Sequence, residues 1–202
     1  MSAAAGLILA AGAGRRFGAA PKQLAPLHGR PLLQWAIDAQ TAVDPELLAP
    51  IVVVLGSHAA EVAAAVDLGR ATAVVCDEWV DGHAASLRCG LRALGAGEPG
   101  GPSRIVVTLG DAPLVSPAAV ARLASEPPGT RAVYDGRPGH PVVLGTAHVD
   151  ALLRARGETD PPAPRSLLRD ARTIELGHLC SGRDVDTPED LEEVRDEARA
   201  VV

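Results

Sequence analysis

LILAAGAGRRFGAAPKQL, residues 7–24, joins a short apolar run to a turn rich in glycine and cations. The run carries no polar residue to face water, so it reads as a strand buried on both faces. Open α/β sheets build their ligand crevices where such a strand hands the chain to a glycine-rich turn. Gly12 and Gly14 let the backbone approach a ligand closely, and exposed peptide N–H groups in the turn form an anion-binding nest. Arg15, Arg16 and Lys22 add positive charge beside it. The expected anion site therefore comprises Leu9, Ala10, Ala11, Gly12, Gly14, Arg15, Arg16 and Lys22.

Two common phosphate motifs do not fit. No lysine directly follows a glycine as the Walker pattern requires, and Phe17 stands where GxGxxG has its last glycine. Lys22 is the only lysine among 19 basic residues, the others being arginine. A lysine is a compact point charge and an arginine a planar fork, so a lone lysine beside a glycine turn points to phosphate binding.

Outward from this stretch, apolar runs recur at residues 51–55, 71–76 and 105–109. Between them, residues 32–42, 59–66, 84–94 and 117–124 place apolar side chains at three- and four-residue spacing, which predicts helices. Strand and helix alternate, as in right-handed βαβ units. The expected fold is a single α/β domain over residues 1–202, a three-layer αβα sandwich around a Rossmann-like, mostly parallel sheet. A turn and strand over residues 134–144 would place one antiparallel strand in that sheet. Glycine and proline cluster at residues 95–102 and 157–164, which read as surface loops. Thr187-Pro188-Glu189-Asp190 reads as a helix start, with threonine as N-cap, proline in the first position and acids in the first turn.

Composition excludes several classes. A net charge of −6 repels the polyanions of nucleic acid and membrane surfaces, so an anionic ligand must find a local basic island. No apolar run approaches the roughly 20 residues of a membrane span, and no secretory signal opens the chain, so a cytoplasmic location is expected. Cys76, Cys89 and Cys180 show neither close pairing nor zinc-ligand spacing and read as reduced thiols.

Downstream residues add chemistry to the loop. In VVTLGDAPLV, a buried strand ends at Asp111, whose carboxylate would hold Mg²⁺ against phosphate oxygens. Asp184-Val185-Asp186 puts two carboxylates on one face if extended, with Asp186 favoured as a second metal ligand. The alternative is that both serve the dipole of the following helix. After the third strand, Gly82 would let a base approach the backbone and Ser86 would hydrogen-bond ribose or base, while Trp79 reads as ordinary packing. His140, after a flexible turn, and Asp184 are the candidates for contact with an acceptor.

Together LILAAGAGRRFG, PKQL, GHAASLR, GDAPLV, GRPGHPVV and DVDTPEDL resemble the molybdenum cofactor cytidylyltransferase group of the molybdopterin nucleotidyltransferase-like family. The resemblance covers nearly the whole chain. It implies a doubly wound sheet and transfer of CMP from CTP to a phosphorylated acceptor, molybdopterin or molybdenum cofactor, with release of pyrophosphate. By motif it implies that Gly12, Gly14, Arg16 and Lys22 bind the triphosphate, that Asp111 binds Mg²⁺, and that Gly82 and Ser86 lie near the base. Arg16, Lys22 and Asp111 are then the catalytic residues, and a molybdoenzyme is an implied partner. Members with Leu-Ala-Ala-Gly are associated with CTP, and guanylyltransferases typically carry Leu-Ala-Gly-Gly, so Ala11 points to cytidine. Where relatives often carry G-D-x-G-A-R, this chain has residues 157–165 of different pattern, which puts the acceptor side in question.

Two rivals stand beside this reading. Some members of the group carry reductase names, but the absent GxGxxG and the position of Asp38 inside a helical pattern count against a nicotinamide-dependent oxidoreductase. The second rival is a nucleotide-binding chaperone without turnover, which would have no need of Lys22 and three aspartates.

Overall fold

The computed structural model describes residues 2–18, 20–154 and 164–198. Seven strands form one sheet: β1 (Ala4–Ala10), β4 (Leu48–Leu55), β5 (Ala71–Val75), β6 (Arg104–Leu109), β7 (Thr130–Tyr134), β8 (Arg137–Gly145) and β9 (Arg172–Glu175). Across the sheet they lie in the order β5-β4-β1-β6-β8-β7-β9. The short strands β2 (Pro26–Leu27) and β3 (Arg30–Pro31) make a separate antiparallel pair. β8 runs antiparallel to both β6 and β7, while the remaining pairings are parallel. The expected single antiparallel strand is β8, delivered by a tight hairpin from β7.

β1 is buried along its whole length, and its pleat sends alternate residues to opposite faces. Ile8 and Ala10 join a core with Leu33 and Ile37 of α1 (Leu32–Thr41), Val62 of α2 (Ala59–Ala65) and Leu123 of α4 (Pro117–Ala124). Leu7 and Leu9 face the other way, toward Leu87 and Leu91 of α3 (His83–Ala93) and Val149 and Leu152 of α5 (Thr146–Arg154). These two cores make the middle layer a sheet covered on both sides. A third cluster packs Leu191 and Val194 of α6 (Pro188–Ala198) on Leu27, Leu32 and Leu114.

From β1 the chain steps outward through β4 to β5, then crosses back through α3 to β6 on the other side of β1. The strand order therefore reverses between β1 and β6, which is where open α/β sheets bind ligands at strand C-terminal ends. The loop after β1 and the Gly110-Asp111 turn after β6 flank that point. Gly110 N donates to Leu9 O at 2.9 Å, tying the two strand ends together.

Several elements were not read from the sequence, among them β7, the short pair β2 and β3, β9 and α5. β9 is a four-residue edge strand whose side chains are mostly exposed, so it carries no apolar run. α5 buries only Val149 and Leu152, too few to mark a helical stripe. One expectation is corrected: Cys76 and Cys89 form a disulfide rather than standing as reduced thiols. A 3-10 turn over Asp77–Asp81 folds the chain back, so that the end of β5 meets the second turn of α3 with Cα atoms 5.8 Å apart. A separation of 13 residues does not reveal that fold-back. The loop expected at residues 157–164 lies outside the described residues up to 163, and so does most of the departing acceptor-side segment.

Candidate active site

The first loop owes its shape to two hydrogen bonds that sequence reading missed. Gln23, in the 3-10 turn Lys22–Leu24, is buried, and its Nε2 donates to Ala10 O at 2.8 Å and Gly12 O at 2.7 Å. The amide holds the turn open against the end of β1. Gly14 lies at φ +59°, and a Cβ there would sit 2.8 Å from Lys22 Cβ. Gly14 thus combines a left-handed backbone with close approach to the lysine stem. A Cβ on Gly12 would meet nothing within 4 Å, so that side of the loop is open to a ligand.

A cavity of about 220 Å³ lies over this loop. Of the expected nucleotide residues, Leu9, Ala10, Ala11, Gly12, Gly14, Lys22, Gly82 and Ser86 line it, as does Asp111. Arg15 is exposed and does not line it, and Arg16 stands at its edge through an ion pair to Asp186 at 2.9 Å. Gln23, Leu32, Trp79, His83, Leu109 and Gly110 complete the wall. Trp79, expected to be ordinary packing, does pack on the α3 core and also presents its indole to the cavity. Its position just past β5 was visible in the sequence, but nothing there told a lining indole from a core one. The Ser86 hydroxyl bonds back to Gly82 O at 3.4 Å, the i−4 pattern of a helical serine.

Lys22 is buried, yet charged at its tip. Its Nζ donates to Asp111 Oδ2 at 2.7 Å and Asp186 Oδ1 at 3.2 Å. Burial alone would lower its pKa, but Asp111 and then Asp186 outweigh that, and the net shift is upward. The ammonium stays protonated across the physiological range. Asp111 Oδ1 is buried with no hydrogen-bond partner, an orphan acceptor on a residue that lines the crevice.

The C-terminal segment brings the other carboxylates. Val185 N donates to Asp111 O at 2.8 Å, docking residues 184–186 against the end of β6. The cap of α6 is a reciprocal box: Thr187 Oγ1 accepts from Asp190 N, and Asp190 Oδ2 accepts from Thr187 N and Asp186 N. Asp190 thus serves the helix start, and the Asp186 carboxylate is left to Lys22 and Arg16. Asp184 has its pKa raised to about 7, by desolvation first and by Asp111 and Asp186 next. His140 lies apart, in a second cavity that it shares with His83. Burial takes its pKa down to about 3, with His83 and Arg131 adding to the effect.

The set fits a divalent cation. Asp111 offers a free lone pair and Asp186 a second carboxylate, and a cation that keeps waters and substrate phosphate oxygens needs only one or two protein carboxylates. Among the described residues no group of three acids, histidines or cysteines is gathered as a complete cage. Lys22 stands between the two aspartates as their counter-ion.

Comparison with known proteins finds relatives along nearly the whole chain. The chain is 32% identical over 203 residues to nicotine blue oxidoreductase of Paenarthrobacter nicotinovorans, covering 92% of this chain and 93% of that one. The bifunctional protein GlmU of Mycolicibacterium gilvum is 40% identical over 129 residues, 61% of this chain but only 25% of the relative. Among solved structures, Rv0371c of Mycobacterium tuberculosis superposes with a TM-score of 0.78 at 27% identity, over 96% of this chain and 98% of that one. Rv0371c has also been solved in complex with manganese, with a TM-score of 0.74 at 26% identity over 96% of this chain and 99% of that one. No helix among the described residues is long and apolar enough to cross a membrane. Residues 6–175, from within β1 to the end of β9, match the MobA-like NTP transferase domain, and the chain belongs to that family of nucleotidyltransferases.

Proposed function

We propose that the protein transfers CMP from CTP to a phosphorylated acceptor, molybdopterin or molybdenum cofactor being the acceptor that its motifs resemble, and releases pyrophosphate. The observation that carries this reading is Lys22 clamped between Asp111 and Asp186 at the wall of the β1–β6 crevice. Ala11, buried in that wall, supports cytidine through the Leu-Ala-Ala-Gly pattern. In the reaction an acceptor phosphate oxygen attacks the α-phosphorus of CTP. A new P–O bond forms as the bond to the bridging β-phosphate oxygen breaks, and the electron pair leaves on pyrophosphate. A phosphate monoester has its second pKa near ~6 and is mostly dianionic at neutral pH, so no strong base is needed.

The residues of the loop and the acidic segment divide the remaining work. Gly12 and Gly14 leave backbone N–H groups open to the phosphates, and Arg16 and Lys22 neutralise the triphosphate. Asp111 and Asp186 would hold Mg²⁺, which when bound neutralises charge on the phosphate oxygens. His140 and Asp184 are assigned to the acceptor side. A cytoplasmic location and a molybdoenzyme recipient complete the proposal, with the Cys76–Cys89 bridge the one feature that departs from a reducing compartment.

A second reading, a nicotinamide-dependent oxidoreductase, is favoured by the near full-length relative with that type of name. A pyrophosphate-release assay with CTP, Mg²⁺ and molybdenum cofactor separates the two. Pyrophosphate formed only when CTP, metal and acceptor are all present is the expected result. No release with any nucleoside triphosphate, together with oxidation of NADPH, would replace it with the second reading.

A further inference from the structure

Between β5 and α3 the chain is closed into a covalent loop, and that loop forms one wall of the nucleotide crevice. The Cys76–Cys89 bridge joins the residue after β5 to the second turn of α3 and ties off residues 77–88. Trp79, Gly82, His83 and Ser86, all within the loop, line the crevice. The 3-10 turn Asp77–Asp81 contributes no fully buried residue, and Val80 stands mostly exposed. Burial therefore holds this stretch weakly. Trp79 gives it a seat: a Cβ on Gly56 would lie 2.6 Å from Trp79 Cβ, so the indole stem rests on the chain just past β4. Glu78 pairs with Arg92 of α3 at 3.8 Å, but both are partly exposed and such a pair contributes little. Among these ties the bridge is the strong one.

Neither sulfur lines the crevice, so the bridge takes no part in nucleotidyl transfer itself. In the reducing compartment proposed for this protein, a disulfide outside the chemistry is transient, and redox sensing is its usual role. The two sulfurs differ in access. Cys76 is buried in the core on the α3 side of the sheet, whereas Cys89 is only partly buried, so a reductant reaches the bridge from Cys89.

We propose that the Cys76–Cys89 bridge is a redox switch of nucleotide affinity. Closed, it holds the wall over residues 79–86 in place for the nucleotide; opened by a dithiol, it lets that wall loosen and weakens binding of the nucleoside triphosphate. The inference rests on the nucleotidyl-transfer reading for the identity of the ligand and adds control by redox state to it. A thiolate of the dithiol attacks Cys89 Sγ, the bond between the two sulfurs breaks, and Cys76 leaves as a thiolate that takes up a proton. The second thiol of the reductant then attacks the mixed disulfide, releasing Cys89 as a thiol and the reductant as its own disulfide. Two electrons and two protons pass from the dithiol to the protein. With the bridge open, the ligand must order residues 77–88 itself, and the entropy lost in doing so opposes binding.

The test compares the whole chain in its oxidised form, in which Cys180 is the free thiol, with the chain reduced by dithiothreitol, in which all 3 cysteines titrate after denaturation. Calorimetric titration with CTP plus Mg²⁺ is expected to give an affinity at least about fivefold weaker in the reduced protein, restored on reoxidation. Cys89→Ser should bind as the reduced wild type does and ignore dithiothreitol. In a Trp35→Phe background Trp79 is the one remaining tryptophan, and its quenching by acrylamide, without any nucleotide, should rise on reduction. Equal CTP affinity in the two redox states of the wild type would overturn the proposal, whether or not Cys89→Ser folds. So would unchanged quenching of Trp79, or a reduced chain unfolded at room temperature by circular dichroism, which would make the bridge a structural staple. Failure of the oxidised wild type to bind any nucleoside triphosphate would defeat the nucleotidyl-transfer reading, and the Trp79 quenching would then decide the switch by itself.

Discussion

Lys22 was conspicuous in the sequence because it is alone among arginines, and its surroundings give that choice a physical reason. A flexible stem and a point charge reach two carboxylates from a buried root, packed so closely that Gly14 has no room for a Cβ. Lys22→Ala is expected to fold and to lose about a hundredfold or more in the rate of pyrophosphate release, the scale of one lost electrostatic stabiliser. Activity within a few-fold of wild type would remove the residue from the mechanism. Asp184 gives a pH test. Its pKa rises on folding from 3.8 to about 7, so the folded state binds more protons than the unfolded one across that window. Stability in metal-free buffer should therefore fall as pH rises from about 4 to about 7, with the full penalty above it. Asp184→Asn should raise the melting temperature at pH 8 and have little effect at pH 4, as thermal melts at the two pH values will show. An equal shift at both would place the carboxylate outside this interaction.

At the level of elements, two joints set the acidic side of the crevice. The Thr187–Asp190 box fixes the start of α6, and through Asp186 N it also fixes the residue that pairs with Lys22. Thr187→Ala should cost about 1 kcal/mol, the usual loss for a removed cap, and lower the melting temperature by about 2–4 °C. An unchanged melt would mean that the box does not contribute to stability. The cap was legible because threonine, proline and acids have fixed positions at helix starts. What Asp184 and Asp186 do after the cap is made was not legible, since the contact between Val185 N and Asp111 O spans the chain and leaves no local pattern. The Cys76–Cys89 bridge is long-range in the same sense, joining β5 to α3 across the segment that carries Trp79 and Gly82. Reduction with dithiothreitol should lower stability by roughly 2–4 kcal/mol, read as a lower melting midpoint; no change would show the bridge to be dispensable.

For the whole molecule, the alternation of apolar runs and helical spacing was enough to predict a mostly parallel sheet between helical layers with a crevice after β1, while the order that reverses between β1 and β6 emerges only from the structure. Periodicity could not reveal β9, which is exposed, or the second cavity, whose wall joins α3 to the β7–β8 hairpin. Arg131 and His83 come together only through tertiary packing, so neither stood out beforehand. The same architecture yields a prediction about the folded state as a whole, because a ligand that binds only the native protein raises its stability by mass action, by about 2.7 kcal/mol at a hundred times its Kd. The measurement is a thermal-shift titration with CTP, GTP, ATP, UTP and NADPH, each with and without Mg²⁺. The account predicts that CTP with Mg²⁺ gives the largest rise in melting temperature and that Lys22→Ala abolishes it. Selective stabilisation by NADPH without metal, unaffected by Lys22→Ala, would contradict it.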